Sequence, residues 1–479
     1  MPAATMMMTA AARWCPVRPW KQGVGVRRGK RLGVCASSAS AGRPWPSSSR
    51  APMQVSDGPW EVVEGGGVTS ALGFKAMGTI AGLKASGLPD LGVLVCEGEE
   101  GAVAAGVFTL NQVCAPPVDV CKRVVGSGVR VRAVVANSGQ ANAATGTAGL
   151  ADAERMCAAT GEAVGCGAEQ VLVCSTGVIG QRVKVEPLVA ALPGLVRDAG
   201  TDAEAGTRFA QAIMTTDLVL KSCAVQVDVG GNKVTVGGCS KGSGMIHPNM
   251  ATMLGFVTCD AAVEPGLWQA MTRQAADASF NQISVDGDMS TNDTLLCLAS
   301  GAAFAQSGDA PIGDAGSPEA AQLQAALTAV CQALAKAIAR DGEGATCMIE
   351  CRCTGAKTDA DARKIAKSVI CSSLFKAAVF GCDPNWGRIA AAAGYAGVAF
   401  DQAHLRITLG EHVLMDKGQP LAYDAKAASA YIKSAKEQVT GTVLVHVDLS
   451  SAGQGHGEGV AYGCDLSYKY VEINAEYTT

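Results

Sequence analysis

The stretch Lys241–Phe256, Lys-Gly-Ser-Gly-Met-Ile-His-Pro-Asn-Met-Ala-Thr-Met-Leu-Gly-Phe, limits the possible folds more than any other part of the chain. Gly242, Gly244 and Pro248 forbid a long regular helix and favour a tight, specially shaped backbone. Met250, Met253, Leu254 and Phe256 are too apolar for an ordinary exposed loop. A loop that has to be enclosed is a place for chemistry. Just before it, Ala224–Val229 and Lys233–Val236 alternate apolar and polar residues around Gly230-Gly-Asn232, which predicts a hairpin with a φ-positive turn. Leu254–Thr258 reads as a strand after the loop, so a rigid sheet holds both of its ends.

The centre of the loop is Ala251-Thr252. A threonine hydroxyl at a strained, enclosed peptide attacks the preceding carbonyl, and hydrolysis of the resulting ester leaves a chain that starts with that threonine. Such a chain start carries a nucleophile and a base in one residue. A free α-amino group has a pKa of about 7.7–8.0 and takes the hydroxyl proton near neutral pH without a histidine. Small Ala251 leaves room at the scissile carbonyl. Spacing alone favours a plain structural loop.

Elsewhere strands and helices alternate, an α/β pattern in two units. Leu91–Cys96, Ala102–Phe108 and Val131–Ala136 read as strands, Asn137–Gly149 as a loop, and residues 150–163 as a helix. Val171–Cys174 is a buried-strand pattern ending in a turn at Ser175-Thr-Gly177, where glycine lets consecutive N–H groups face one point, as an oxyanion requires. Beyond the loop, Ser317-Pro-Glu319 starts a helix with Leu323, Leu327, Val330, Leu334 and Ile338 on one face, and Glu343 sits just past its end. A helix over Asp359–Phe375, another near Asp424–Lys436, and strands at Leu405–Leu409 and Val443–Leu449 follow. Gln306–Ala315 reads as a surface insertion.

Charge divides the chain. Residues 1–56 hold nine Arg or Lys and no carboxylate, and without those nine the formal charge goes from −4 to −13. An acidic body argues against nucleic-acid partners. The basic, Ser- and Ala-rich leader lacks the apolar core of about 7–15 residues that secretion uses, so it reads as an organelle transit peptide. Val34-Cys-Ala-Ser37 resembles a stromal processing site and favours the chloroplast, with the mitochondrion as alternative and a cut near residues 35–55. The apolar runs are too short to cross a membrane. Nineteen cysteines without a Cys-x-x-Cys pair read as small buried side chains in a reducing compartment. Five histidines form no metal-binding spacing, and Asp286, Asp288 and Asp293 lack the spacing and terminal Glu of a calcium loop, so no metal is expected.

The segment Lys241–Leu254 resembles the self-cleavage segment of the ornithine acetyltransferase family, the bifunctional arginine-biosynthesis proteins also called glutamate N-acetyltransferases. Six further blocks agree in order: Asn137–Ala143, Ser175–Gly180, Ile213–Asp217, Ser284–Asp293, Gly381–Arg388 and Asn474–Thr479. His247 departs from the glycine or other small residue expected at that position. The resemblance implies a self-cleaving N-terminal-nucleophile-type α/β fold with layered sheets and helices, similar to the DmpA-like fold. With the leader over 1–56 read as a transit peptide from its composition, it implies an alpha chain over 57–251 and a beta chain over 252–479. It implies autoproteolysis at Ala251-Thr252 and movement of an acetyl group from N2-acetyl-L-ornithine to L-glutamate through acetyl-Thr252. By the same resemblance Thr176 and Gly177 form the oxyanion hole, and Thr215, Lys241, Thr252, Glu343, Asn474 and Thr479 bind substrate. No cofactor is implied. Acetyl-CoA is a further candidate donor, and two copies of each chain form the implied heterotetramer. A self-cleaving aminopeptidase or amidase, with water in place of glutamate, and an uncut, non-catalytic binding protein are the rival readings.

Overall fold

The hairpin expected from the alternating arms is the centre of the largest packed layer. Strands Lys221–Val229 and Asn232–Lys241 pair antiparallel around Gly230 and Gly231, whose φ values of 61° and 88° are those that glycine adopts without strain. A computed structural model describes residues 53–247, 253–305, 307–438, 440–453 and 455–476, which lie in the unit Trp45–Thr479. The transit-peptide reading falls almost wholly, and the Ala251-Thr252 and Thr479 assignments entirely, outside the described residues.

The hairpin belongs to a six-stranded sheet in the order Trp60–Val62, Lys221–Val229, Asn232–Lys241, Leu254–Cys259, Thr294–Ala299 and Val103–Phe108. Strand Leu254–Cys259 is wholly buried and pairs antiparallel with Asn232–Lys241 and parallel with Thr294–Ala299. A four-stranded sheet runs Phe74–Thr79, Leu91–Cys96, Ala133–Gln140 and Val171–Val178, the last two parallel. A seven-stranded sheet contains Met348–Ala356 between Gly457–Cys464 and Thr442–Asp448. Helix Pro318–Arg340 packs on the hairpin with Leu323, Leu327, Val330, Leu334 and Ile338 buried, and Ser317 caps it by accepting the Ala320 N–H. Separate apolar clusters lie on the four-, six- and seven-stranded sheets, the first of them reaching Phe209 and Phe256, whose rings meet edge to face at 5.1 Å.

Three local expectations change. The Asn137–Gly149 loop begins as strand, because Asn137 satisfies its own buried amide by donating to Gln140 O at 2.9 Å and accepting from Ser175 Oγ at 2.6 Å, and a helix starts already at Gly146. Ser175-Thr-Gly177 is not a terminal turn but part of strand Val171–Val178. The helix expected over Asp359–Phe375 is two, Asp359–Cys371 and Ser373–Phe380, broken at extended Ser372, whose Oγ caps the second by accepting from Phe375 N. The expected surface insertion is exposed at its described residues except Ile312, which is buried and hydrogen-bonds through its backbone to Ala262 and Glu264. The cysteines among the described residues are free and mostly buried.

Candidate active site

One cavity of about 290 Å³ opens where the four- and six-stranded sheets end side by side. Its wall includes Thr176 and Gly177 from strand Val171–Val178, Lys241 from the hairpin's last position, and Thr215 from the segment leading into the hairpin. Glu343, just beyond helix Pro318–Arg340, and Asn474 of helix Tyr468–Glu476 complete it. All six described residues assigned to binding or oxyanion roles therefore meet at one place, although up to 298 positions separate them. Met253, the residue bonded to Thr252, also lines the cavity.

The backbone here is as unusual as its glycines predict. Gly177 has φ 127° and lies opposite Gly139 in the parallel pair, so a Cβ on Gly177 would overlap the Gly139 backbone. A Cβ on Gly244 would overlap the Glu343 carboxylate. Met245 takes the left-handed φ of 55°, a strained choice for a side chain of that size. Asp286 offsets the strain by accepting from Met245 N at 2.6 Å and Ile246 N at 2.9 Å, which gives this aspartate a local structural role. His247 follows, half-buried, with Nδ1 3.1 Å from Ser284 Oγ and 3.4 Å from Cys371 Sγ. Burial, with the nearby Lys367 cation, lowers its imidazole to about 4, so it is neutral at physiological pH.

Charges of both signs face the cavity. Burial pushes the Lys241 ammonium below its usual range; Asp217, Asp293 and Glu343 act against that and Lys221 with it. Glu343 accepts from Asn474 Nδ2 at 2.8 Å and holds its own backbone by donating N–H to Ser243 O at 2.9 Å. Behind the lining, Lys84 of a loop gathered around Asp90 donates to Met214 O at 2.7 Å, next to Thr215. Burial lowers its ammonium to about 8 despite Asp90 and Asp217.

Sequence reading missed the network behind this wall. Lys221 is fully buried and donates to Asp217 at 2.7 Å and Asp341 at 2.6 Å. Burial alone would raise Asp217, but the Lys221 and Lys241 cations and the Gly242 N–H hold it far below the usual carboxylate range. Burial raises Asp341, which shares Lys221 with an already ionised neighbour. Removing one member of such a buried set costs about 3–5 kcal/mol. The only sequence signal was the four-residue spacing of Asp217 and Lys221 inside and just after a recognised block; Asp341 is 120 positions away from Lys221.

The arrangement offers a carboxylate and an ammonium to a small zwitterion, with a strand of glycine-kinked backbone beside them. Among the described residues there is no cluster of His, Cys, Asp and Glu fit to hold a metal ion, and no helix long and apolar enough to cross a membrane. The model of the ArgJ family matches residues 75–479. The chain is 54% identical over 427 residues to the chloroplastic arginine biosynthesis bifunctional protein ArgJ of Ostreococcus lucimarinus, covering 88% of this chain and 90% of that one. It is 54% identical over 429 residues to arginine biosynthesis bifunctional protein ArgJ 1 of a Nostoc species, covering 88% and 99%. The crystal structure of the Bacillus halodurans protein of that name aligns with 47% of this chain and 100% of the solved chain, at 41% identity and a TM-score of 0.43.

Proposed function

The chain belongs to the ArgJ family, and from that premise we propose that it is an acetyltransferase of arginine biosynthesis which moves the acetyl group of N2-acetyl-L-ornithine to L-glutamate. The observation that carries the residue assignment is the meeting of Thr176, Gly177, Thr215, Lys241, Glu343 and Asn474 around one cavity beside Met253.

In this reading the precursor is cut between Ala251 and Thr252, leaving alpha and beta chains that share the six-stranded sheet, where Asn232–Lys241 of one pairs with Leu254–Cys259 of the other. The Thr252 hydroxyl, losing its proton to the new α-amine, adds to the acetyl carbonyl. Thr176 and Gly177 stabilise the oxyanion. The C–N bond breaks, the amine returns the proton to the departing ornithine, and an acetyl ester remains on Thr252. The amine of glutamate then attacks that ester, N-acetylglutamate leaves, and the threonine hydroxyl is restored. Lys241 pairs with a substrate carboxylate and Glu343 with an ammonium, with Thr215 and Asn474 lining the same slot and Thr479 a further substrate-binding residue. Acetyl-CoA is a second donor feeding the cycle, two alpha and two beta chains form the working assembly, and the protein acts in the chloroplast stroma. The chloroplastic designation of relatives supports the plastid as the compartment.

The test is the intact mass of leaderless protein under denaturing conditions, wild type beside Thr252→Ala, followed by an acetyl-transfer assay. Two wild-type fragments, the second beginning at Thr252, with an uncut variant and N-acetylglutamate as product, are expected. A single uncut wild-type chain that still transfers acetyl groups would sink the amine-as-base mechanism. Free acetate exceeding N-acetylglutamate would favour the amidase reading.

A further inference from the structure

Behind the cavity, three charged side chains join segments that are distant in sequence. Asp217 Oδ2 accepts the Thr215 N–H at 3.0 Å, and its Oδ1 accepts both the Gly242 N–H at 2.8 Å and Lys221 Nζ. One carboxylate thus ties the Thr215 segment to the residue after Lys241. Asp341 Oδ2 accepts Lys221 Nζ and the N–H groups of Leu218, at 3.0 Å, and Val219, at 3.4 Å. The Asp341 carbonyl takes the Ser243 hydroxyl at 2.9 Å, and the Ser243 carbonyl takes the Glu343 N–H. Lys221, held from both sides, is the centre of a clamp whose four arms end at Thr215, Gly242, Ser243 and Glu343.

We propose that Asp217, Lys221 and Asp341 are positioning residues for acetyl transfer, fixing the Thr215 and Lys241–Glu343 walls in register, and that Asp217 keeps Lys241 a cation able to hold the substrate carboxylate. The second part rests on the assignment of Lys241 above. Three charges act on Lys241 besides Asp217 and Lys221: Asp293 ahead of strand Thr294–Ala299, Glu343 beyond the long helix, and Lys84 from the Asp90 loop. Asp341 faces Lys221 and Asp217. The two carboxylates of the clamp therefore have different duties, although both are buried and both bind the same lysine.

This difference sets the experiment: KM for N-acetylornithine as a function of pH, in the processed enzyme. Wild type should lose affinity on the alkaline side as Lys241 gives up its proton. Asp217→Asn removes a neighbouring negative charge, so Lys241 gives up its proton more readily and the alkaline limb should move down by about one pH unit or more. Asp341→Asn, disturbing the same lysine, should leave the limb in place. Because Asp217→Asn could disrupt folding, the paired Lys221→Met/Asp341→Asn variant supplies the opposite sign. It removes the cation next to Lys241 and keeps Asp217, and the limb should move up. Limbs that stay put in Asp217→Asn and in the paired variant, or that move equally with either carboxylate, overturn the proposal. A wild-type KM with no alkaline limb overturns the Lys241 assignment instead.

Discussion

Asn474 Nδ2 donates to Glu343 Oε2 at 2.8 Å, and this bond joins a C-terminal helix that buries none of its described side chains to the wall of the cavity. The side chain of Asn474 fixes one Glu343 oxygen and leaves the other to a ligand. A hydrogen bond to a charged acceptor contributes about 1.5–3 kcal/mol, and at this exposed position the lower end applies. Asn474→Ala should raise KM for the amino-acid substrates about tenfold, with a smaller change in kcat. Thermal stability should hardly move, because no core is lost. An unchanged KM would remove Glu343–Asn474 from the substrate slot.

Gly244 gives a second handle on the same carboxylate. An added methyl there meets the end of the Glu343 side chain rather than backbone. That side chain turns away at a cost of about 1 kcal/mol. Gly244→Ala should therefore fold normally and lose about 10- to 100-fold in kcat/KM, since a displacement near 1 Å in a positioning group has that effect. Steady-state kinetics next to a melting curve checks it, and equal losses in both would point to general loosening of the loop.

The hairpin, the long helix and the Lys241 loop were legible because each carries its signal locally: alternation around Gly230-Gly231, a Ser317 cap before a 3.6-residue stripe, and glycine where φ is positive or a side chain cannot fit. Ser372 was not legible, since apolar spacing continues straight through it and only its cap to Phe375 breaks the helix. Ser175-Thr-Gly177 looked like a turn because glycine ends many strands. Here Gly177 instead permits close approach to Gly139, a residue of another strand that local pattern does not reveal. Pairing between Lys221 and Asp341 is likewise created by the fold. The gathering of Thr176, Lys241, Glu343 and Asn474 could be read only through resemblance to a family, whereas the structure derives it from where sheets and helices end.

Two glycines near the proposed oxyanion hole separate strain from collision. Gly180 has φ 82° with open space where a Cβ would stand, while Gly177 combines φ 127° with a backbone neighbour that cannot move aside. Gly180→Ala should cost about 1 kcal/mol, from conformation alone. Gly177→Ala should cost about 2–4 kcal/mol and abolish acetyl transfer, because relief requires parting the parallel strands that carry Thr176. Urea midpoints of the two variants measured together decide the matter. Equal destabilisation would mean that the strands separate without penalty.

His247 gives the protein an acid limb of stability whose sign follows from burial. Its imidazole sits at about 4 when folded, below the value of about 6.5 that it has in an unfolded chain. Between those two values the unfolded chain binds more protons, so stability is complete above about pH 6.5 and falls as pH drops toward 4. Allowing for the ring's partial exposure, this one residue accounts for about 1–2 kcal/mol. Lys367 and the contacts to Ser284 and Cys371 keep the ring neutral and in place. His247→Gln removes the titration while keeping a polar group toward Ser284. The stability gap between wild type and His247→Gln, from urea midpoints, should then shift in the variant's favour by that amount between pH 7 and pH 4.5. A gap that does not change with pH would show that the imidazole is solvated in solution, and that the loop ahead of the proposed cleavage point opens there.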